Sequence, residues 1–337
     1  MNAKNITNNM ANTLINAFKK YPFETHQLFL KSYLQPNVDP LELNPGVINT
    51  TYSANPIYKK YEIKEEFYDK MYFLNALINP ANSFFNLNEK RLEIRVEAKD
   101  GLVGLAQEVE VEGGKTSTVV NFIDANNSAF LSDIEVFKIK RNSTLKHLRV
   151  INGGNIASNM YYFLEDGARL EITELTSRMD YYRLKSNIVE TGIGAYSEAY
   201  YGYDTGNTDK IDVTAVIVLN AKNSQGNTYQ RAVLRGASRI YQKALLYNTK
   251  DGPGGRSYIE QKALLLSENS YANNIPGMQL DSNDIMAKHS AATFSLSEDQ
   301  LFYIMSRGLS RDASMQILAE GILRPIKDKI NSEEKND

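Results

Sequence analysis

The sequence contains no cysteine among its 337 residues, and it contains only three histidines. Without cysteine no disulfide framework can form, and zinc sites built on thiolates are excluded. The histidines, His26, His147 and His289, are too widely separated for a local zinc motif. We expect structural roles for His26, on a solvated N-terminal segment, and for His147, in a strand-like run.

Long apolar runs and an excess of basic residues are also missing. No stretch of about 18 apolar residues occurs, which predicts no membrane span, and the polar N-terminus lacks the apolar segment of a secretory signal. The formal net charge is −2, and there is no clustered basic stripe of the kind that binds nucleic acid. These absences predict a cytoplasmic protein that binds neither membranes nor nucleic acid.

The familiar catalytic motifs are incomplete. Gly113-Gly114-Lys115-Thr116 resembles the end of a phosphate-binding loop, but the residues before it have the alternating pattern of a strand. No GxSxG motif for a serine nucleophile occurs. Carboxylate pairs such as Glu171 and Glu174 are of interest for one alternative function, a β-helical glycan-processing enzyme, which would need two acids across a groove. Nothing in the sequence singles out such a pair.

The chain changes character twice along its length. A mostly helical region is predicted for residues 1–95, because apolar residues such as Leu14 and Phe18 recur at helical spacing. From there to about Thr293, short runs with alternating apolar residues, such as the run from Ile211 to Leu219, end repeatedly in Asn, Gly, Asp or Ser. This pattern predicts many short strands joined by tight turns, in a sandwich, a barrel or a β-helix. Asparagine tolerates left-handed backbone and can stack from turn to turn, which favours the β-helix.

Helices are predicted again after Thr293. Ser297 and Gln300 form a capping box, Gly308 is suited to end the first helix, and Ser310 caps a second one. The predicted helical segment spans 295–328 and is followed by a flexible tail, 329–337. Its apolar residues could simply cover the open end of the β structure.

Three segments resemble the SufB/SufD family of iron–sulfur cluster assembly scaffolds. They are LRGASRIYQKALLYNTKDGPGGRSYIEQKALLLSENS at 234–270, PGMQLDSNDIMAKHSA at 276–291 and SEDQLFYIMSRGLSRDAS at 297–314. The resemblance extends over roughly residues 100–325. It implies a mainly β fold with a right-handed parallel β-helix core, placed at 96–294, between the helical N-terminal region and a C-terminal helical hairpin.

Departures from the family pattern indicate a SufD-like chain. At the position where SufB-type subunits carry a sulfur-accepting cysteine, this chain has Gln261, and an amide cannot form a persulfide. The glutamate that follows the family histidine in SufB-type chains is replaced by Ser290. Some SufD-type chains carry a cysteine before that histidine, where this chain has Ala287.

The resemblance also implies partners and site residues. His289 would be a ligand to iron or to a transient cluster at a subunit interface, with Asp284 as a weaker candidate, whereas no cluster would bind stably to this chain alone. The C-terminal helices would dock a SufC-like ATPase of the ABC class through Gln300, Phe302, Tyr303 and Arg307. A SufB-like paralogue, or a second copy of the chain, would pair with the end of the β-helix. The sequence thus predicts a non-enzymatic scaffold subunit of the SUF system.

Overall fold

The computed structural model describes residues 3–24, 29, 33–59, 68–78, 82–296 and 298–334. His26 and Ser297 lie outside these residues. The described helices are α1 (Ala3–Lys20), α2 (Lys70–Ile78), α3 (Glu298–Met305) and α4 (Arg311–Glu334). The described strands are β1 (Val47–Tyr52), β2 (Ile57–Lys59), β3 (Asn82–Leu87), β4 (Arg91–Val111), β5 (Thr116–Ala125), β6 (Ala129–Ile139), β7 (Thr144–Asn152), β8 (Asn155–Leu164), β9 (Arg169–Ser177), β10 (Tyr181–Glu190), β11 (Tyr196–Asp204), β12 (Lys210–Leu219), β13 (Gln225–Leu234), β14 (Arg239–Asn248), β15 (Gly255–Leu265), β16 (Tyr271–Leu280) and β17 (Ile285–Ser295).

Successive strands alternate between two parallel sheets that together form a β-helix. Sheet A holds the second half of β4 with β6, β8, β10, β12, β14 and β16. Sheet B holds the first half of β4 with β5, β7, β9, β11, β13, β15 and β17. The predicted mainly β fold with a parallel β-helix core is therefore confirmed.

The coils of the β-helix differ in length. Thr144 stacks on Thr116, 28 residues earlier, and Arg169 stacks on Thr144, 25 residues earlier. Near the C-terminal end, Tyr271 stacks on Arg239, 32 residues earlier. Because the coil length varies, the sequence shows no fixed repeat period even though the structure repeats.

One corner of the coil, where sheet A leads into sheet B, has left-handed backbone in six successive coils. The residues are Gly114, Asn142, Gly167, Gly194, Asn223 and Gly254. At each of them the backbone N–H donates to a carbonyl of the next coil, as from Asn142 N to Asp166 O at 2.8 Å. Glycine and asparagine adopt this conformation at the lowest cost. Asparagine occupies two of the six positions, as its tolerance of left-handed backbone predicts, but Gly167 and Gly194 separate the two asparagines, so they do not stack on each other.

The interior between the two sheets, called the lumen below, holds the main apolar core. The alternating residues of β12, from Ile211 to Leu219, are buried there as the sequence predicts. Asp212 and Thr214 point to the opposite face of β12 and are nevertheless buried, because the N-terminal region covers the outer face of sheet A. Leu34 N donates to Asp212 Oδ2 at 2.5 Å across that boundary.

The N-terminal region is only partly helical, so the prediction for 1–95 is wrong in part. β1 pairs antiparallel with the first half of β4, and β3 pairs parallel with its second half, which extends both sheets at this end. β2 pairs antiparallel with β3. The predicted boundary at residue 96 lies inside β4. These three strands are short and carry weak sequence signals of their own; β1 and β3 take their hydrogen bonds from β4, and β2 takes its hydrogen bonds from β3.

Apolar and charged contacts hold this region to sheet A. Phe18 packs with Met71, Leu74 and Phe130 in one buried cluster. A buried ion pair joins Asp69 to Arg183 with 3.0 Å between Oδ2 and Nη2. Glu24 and Asp212 both contact the buried ammonium of Lys243, at 3.3 and 2.6 Å.

The C-terminal helices lie beside the β-helix and leave its end open. α4 packs along the outer face of sheet B against β9, β11, β13 and β15, burying Leu323 and Ile326. The expectation that these helices cover the open end is wrong, because packing on the outer face of sheet B buries the apolar side of α4. The helix also continues to Glu334, past Pro325 and past the predicted boundary at 328. None of the described helices is long and apolar enough to cross a membrane.

Candidate interaction surface at the C-terminal end of the β-helix

The last coil of the β-helix, β16 with β17, is far more exposed than the coils before it. β17 pairs with β15 on one side, and no strand in the described part of the chain pairs with its other side. Its backbone groups there are available for a further strand. Pro276 interrupts the edge of β16, whereas the 11 residues of β17 contain no proline. β17 is therefore an edge that suits strand addition.

His289 lies on this exposed strand. It is aligned with Ile259 of β15, a buried residue of the apolar core, so His289 occupies the lumen side of the last coil while remaining exposed. Ser290 points to the outer face, where its hydroxyl is 3.1 Å from the Tyr258 hydroxyl. Asp284 is exposed in the turn before β17. The mouth of the lumen thus carries one imidazole.

Gln261, which the resemblance places at the cysteine position of SufB-type subunits, is fully buried in the lumen one coil below. Its Nε2 donates to Gln230 Oε1 at 2.6 Å and to the backbone carbonyl of Gln242 at 2.9 Å. The side chain is therefore fixed by neighbouring polar groups rather than presented to solvent.

The residues predicted to contact an ATPase lie on or next to α3. Leu301 is buried and anchors the helix, while Phe302 is 73% and Tyr303 64% exposed. Arg307 Nη2 donates to the Tyr303 hydroxyl at 3.1 Å, and its guanidinium lies 5.5 Å from the centre of that ring. Gln300 is exposed as well. Side chains of these types often anchor protein interfaces.

The junction between α3 and α4 has the two features that the sequence predicts for it. Gly308 has a φ of +90° directly after α3, and the Ser310 hydroxyl accepts from Ala313 N at 3.2 Å at the start of α4. Both features match the predicted helical hairpin.

Between α3, α4 and the end of β17 lies an apolar groove of about 680 Å³, lined in part by Phe294, Tyr303 and Ile322.

The lumen contains a charged cluster that the sequence analysis did not predict. Arg149 lies between three carboxylates, with Nη2 2.6 Å from Asp133 Oδ2, Nη1 2.6 Å from Glu174 Oε2 and Nε 3.3 Å from Glu135 Oε1. All four side chains are fully buried. Burial and the Asp133 charge raise the pKa of Glu135 to about 8, and burial also raises the pKa values of Asp133 and Glu174. One guanidinium cannot neutralise three carboxylates, so protons provide the remaining compensation.

His147 belongs to the same buried cluster. Its Nδ1 is 2.7 Å from the Tyr162 hydroxyl, and its Nε2 is 3.7 Å from Glu135 Oε2. Burial, followed by the charge of Arg149, lowers its pKa well below the ordinary value, so the imidazole is neutral. This agrees with the structural role expected for His147.

The remaining catalytic candidates are not brought together. Glu174 is inside the lumen, bound to Arg149 and to the Tyr182 hydroxyl, whereas Glu171 is exposed on the outside of the same strand. The wall of β9 therefore separates the two acids. Among the described residues no group of three or more His, Asp or Glu side chains is arranged to hold a metal ion.

These features define a β-helical protein with an exposed edge strand, β17, and with exposed aromatic and arginine side chains on and after α3. Residues 96–322 match the family model described as the SufBD core domain of the SUF system for FeS cluster assembly. Because this match covers more than half of the chain, the protein belongs to the SufBD family.

Curated relatives agree with this assignment. An iron–sulfur cluster assembly SufBD family protein of Mycobacterium bovis is 32% identical over 136 residues, which are 40% of this chain and 16% of the relative. A Staphylococcus haemolyticus member is 24% identical over 186 residues, which are 53% of this chain and 40% of the relative. The chain thus spans less than half the length of these relatives.

Proposed function

We propose that this protein is a SufD-like scaffold subunit that supports iron–sulfur cluster assembly in the cytoplasm without supplying sulfur ligands. The observation that carries the proposal is the buried amide of Gln261 in a cysteine-free member of the SufBD family. A chain without thiolates can accept neither sulfur nor a cluster of the common types by itself. Its contribution is a surface on which another subunit completes the site.

The open edge of β17 supplies that surface. A partner of the same family, SufB-like and bearing the cysteines, pairs with this edge and brings its thiolates to the mouth of the lumen. His289 offers its imidazole to iron there, since imidazole is an established ligand for this metal. The cluster is cargo that forms between the subunits and is passed on. Self-pairing of this chain would place two imidazoles, and no thiolate, at the same position.

α3 supplies the second contact, with a SufC-like ATPase. Phe302, Tyr303 and Arg307 are exposed within about two helical turns, a combination that suits a partner with a mixed apolar and acidic surface. α3 begins at Glu298, shortly after β17 ends at Ser295, so movement of an ATPase bound to α3 would be transmitted to the edge strand with which the partner pairs. ATP-driven movement of the ATPase would then alter the scaffold interface.

Co-purification tests the proposal. The tagged full-length chain is expressed with a SufC-type ATPase and with a cysteine-bearing SufB-type paralogue, together and separately. We expect a ternary complex that forms a cluster when iron, a sulfur donor and ATP are supplied. The isolated chain treated with iron and sulfide should hold no chelator-resistant cluster. A stoichiometric, chelator-resistant cluster on the isolated chain, or no binding of either partner, would contradict the proposal.

A further inference from the structure

Four amide side chains in the last coils of the β-helix form two stacks that face the lumen. Gln230, Gln242 and Gln261 are fully buried, and Asn274 is half-buried in the exposed last coil. The parallel register stacks Gln261 on Gln230 in sheet B and Asn274 on Gln242 in sheet A. The two stacks face each other across the lumen.

Each amide donates to a backbone carbonyl of the opposite sheet. Gln230 and Gln261, in sheet B, donate to the carbonyls of Lys243 and Gln242 in sheet A at 3.2 and 2.9 Å. In the other direction, Gln242 donates to Lys262 O at 3.4 Å. Asn274 donates to Ala292 O in β17 at 3.2 Å. The four bonds therefore tie the two sheets together through the lumen.

The amides are also bonded to one another and to β17. Gln261 Nε2 donates to Gln230 Oε1 at 2.6 Å, and Gln242 Nε2 donates to Asn274 Oδ1 at 2.7 Å. Asn274 Nδ2 reaches Thr293 Oγ1 in β17 at 3.1 Å. An amide nitrogen has two hydrogens, so Gln242, Gln261 and Asn274 each use both. The chain of bonds runs from Gln230 in the interior to β17 at the open edge.

We infer that these four side chains form a brace that holds β17 in a fixed position through the bonds of Asn274, and that the brace thereby orients His289 for its role in the cluster site. The last coil has little apolar packing of its own, because most of its side chains are exposed. Directional hydrogen bonds across the lumen supply the rigidity that packing does not. A rigid edge strand loses less conformational entropy when a partner pairs with it. The inference about His289 rests on the proposed function, whereas the brace itself does not.

Amide hydrogen exchange on the isolated chain tests the brace. Gln261→Leu leaves Gln230 Oε1 and Gln242 O without this donor in a buried site, and Asn274→Ala removes the bonds to β17 directly. We expect exchange of the β17 amides bonded to β15 to become about tenfold faster in both variants, with exchange in β5 unchanged. Asn274→Ala keeps the test decisive if Gln261→Leu fails to fold.

Gln107→Leu is the matched control. Gln107 is also a buried glutamine facing the lumen, but it lies on β4 at the N-terminal end. It should leave exchange in β17 as in the wild type. Unchanged β17 exchange in Asn274→Ala, or equal acceleration by Gln107→Leu, would overturn the brace. If β17 loosens in the variants but no cysteine-bearing partner binds the wild-type chain, the brace stands and the proposed function fails.

Discussion

Arg149 and Glu174 meet inside the lumen, with 2.6 Å between Nη1 and Oε2 and no solvent exposure of either side chain. The same guanidinium contacts Asp133 and Glu135, so three buried carboxyl groups share one fixed positive charge. Asn121 donates to both oxygens of Glu135. The middle of the β-helix therefore holds its charge balance through bound protons.

This balance predicts a loss of stability at alkaline pH. The pKa of Glu135 rises from its ordinary value of 4.5 to about 8 in the fold, so the folded chain keeps a proton that the unfolded chain releases. The stabilisation of the fold by this proton is complete below about pH 4.5 and disappears as the pH rises to about 8. The free energy of unfolding should fall by about 1.4 kcal/mol for each pH unit in that window. Asp133 and Glu174 shift in the same direction.

Glu135→Gln should remove the part of this slope due to Glu135, because the amide stays neutral at every pH. Chemical unfolding of the wild type and the variant at intervals from pH 5 to 9 measures it. Glu171→Gln, which changes an exposed glutamate of β9, is the control and should keep the wild-type slope. Parallel curves for wild type and Glu135→Gln would show that Glu135 is ionised in the folded chain throughout.

The lumen also explains what sequence analysis could and could not predict. The alternation in β12 correctly identified Ile211 and its neighbours as interior residues, because a strand exposes successive side chains to opposite faces. The same rule predicts that polar residues face outward, and this prediction is wrong for Asp133, Glu135 and Arg149, which are buried in the lumen. Asp133 and Glu135 lie on β6 and Arg149 on β7, and the way these two strands face each other is not apparent from a sequence whose coil lengths vary. The buried position of Gln261 became clear only once the alignment of the strands was known.

Two glycines in different backbone conformations, Gly167 at the left-handed corner and Gly321 in α4, should respond in opposite ways to substitution by alanine. Gly167 has a φ of +63°, and an added Cβ would lie 2.3 Å from Asn142 Oδ1. Gly167→Ala should therefore lower the free energy of unfolding by at least about 1 kcal/mol. Gly321 lies inside α4 with no atom within 4 Å of an added Cβ, so Gly321→Ala should raise it by about 0.5–1 kcal/mol.

Urea unfolding of both variants checks the opposite signs. Equal effects would mean that the left-handed corner contributes no constraint. Asn142, which also has positive φ, provides an additional comparison: Asn142→Gly keeps the conformation accessible and should be tolerated better than Asn142→Ala.

The proposed contact with a SufC-type ATPase would depend on the exposed side chains of α3 and of Arg307, which follows it. Because Tyr303 and Arg307 bond to each other at the surface, replacing either with alanine should leave the melting temperature nearly unchanged. We expect Tyr303→Ala or Arg307→Ala to weaken binding of a SufC-type ATPase by about thirtyfold, equivalent to roughly 2 kcal/mol. Binding measured by calorimetry gives the affinity, and circular dichroism confirms the fold.

Arg324→Ala is the control for that measurement, since Arg324 is an exposed arginine of α4 that contacts only Asp328 within hydrogen-bonding distance among the described partners. It should bind the ATPase as the wild type does. Normal binding by both α3 variants would place the docking surface elsewhere on the molecule.

His289 provides the test of the proposed cluster site. The imidazole is exposed on an edge strand, so His289→Ala should fold, dock the ATPase and pair with a cysteine-bearing partner normally. Loss of an iron ligand should nevertheless lower the cluster yield of the complete complex several-fold, measured by absorbance and by iron and sulfide content. Lys288→Ala alters the adjacent exposed residue on the opposite face of β17 and should retain the wild-type yield. A wild-type yield with His289→Ala would show that iron is held without this imidazole, and the scaffold would then contribute only its edge strand.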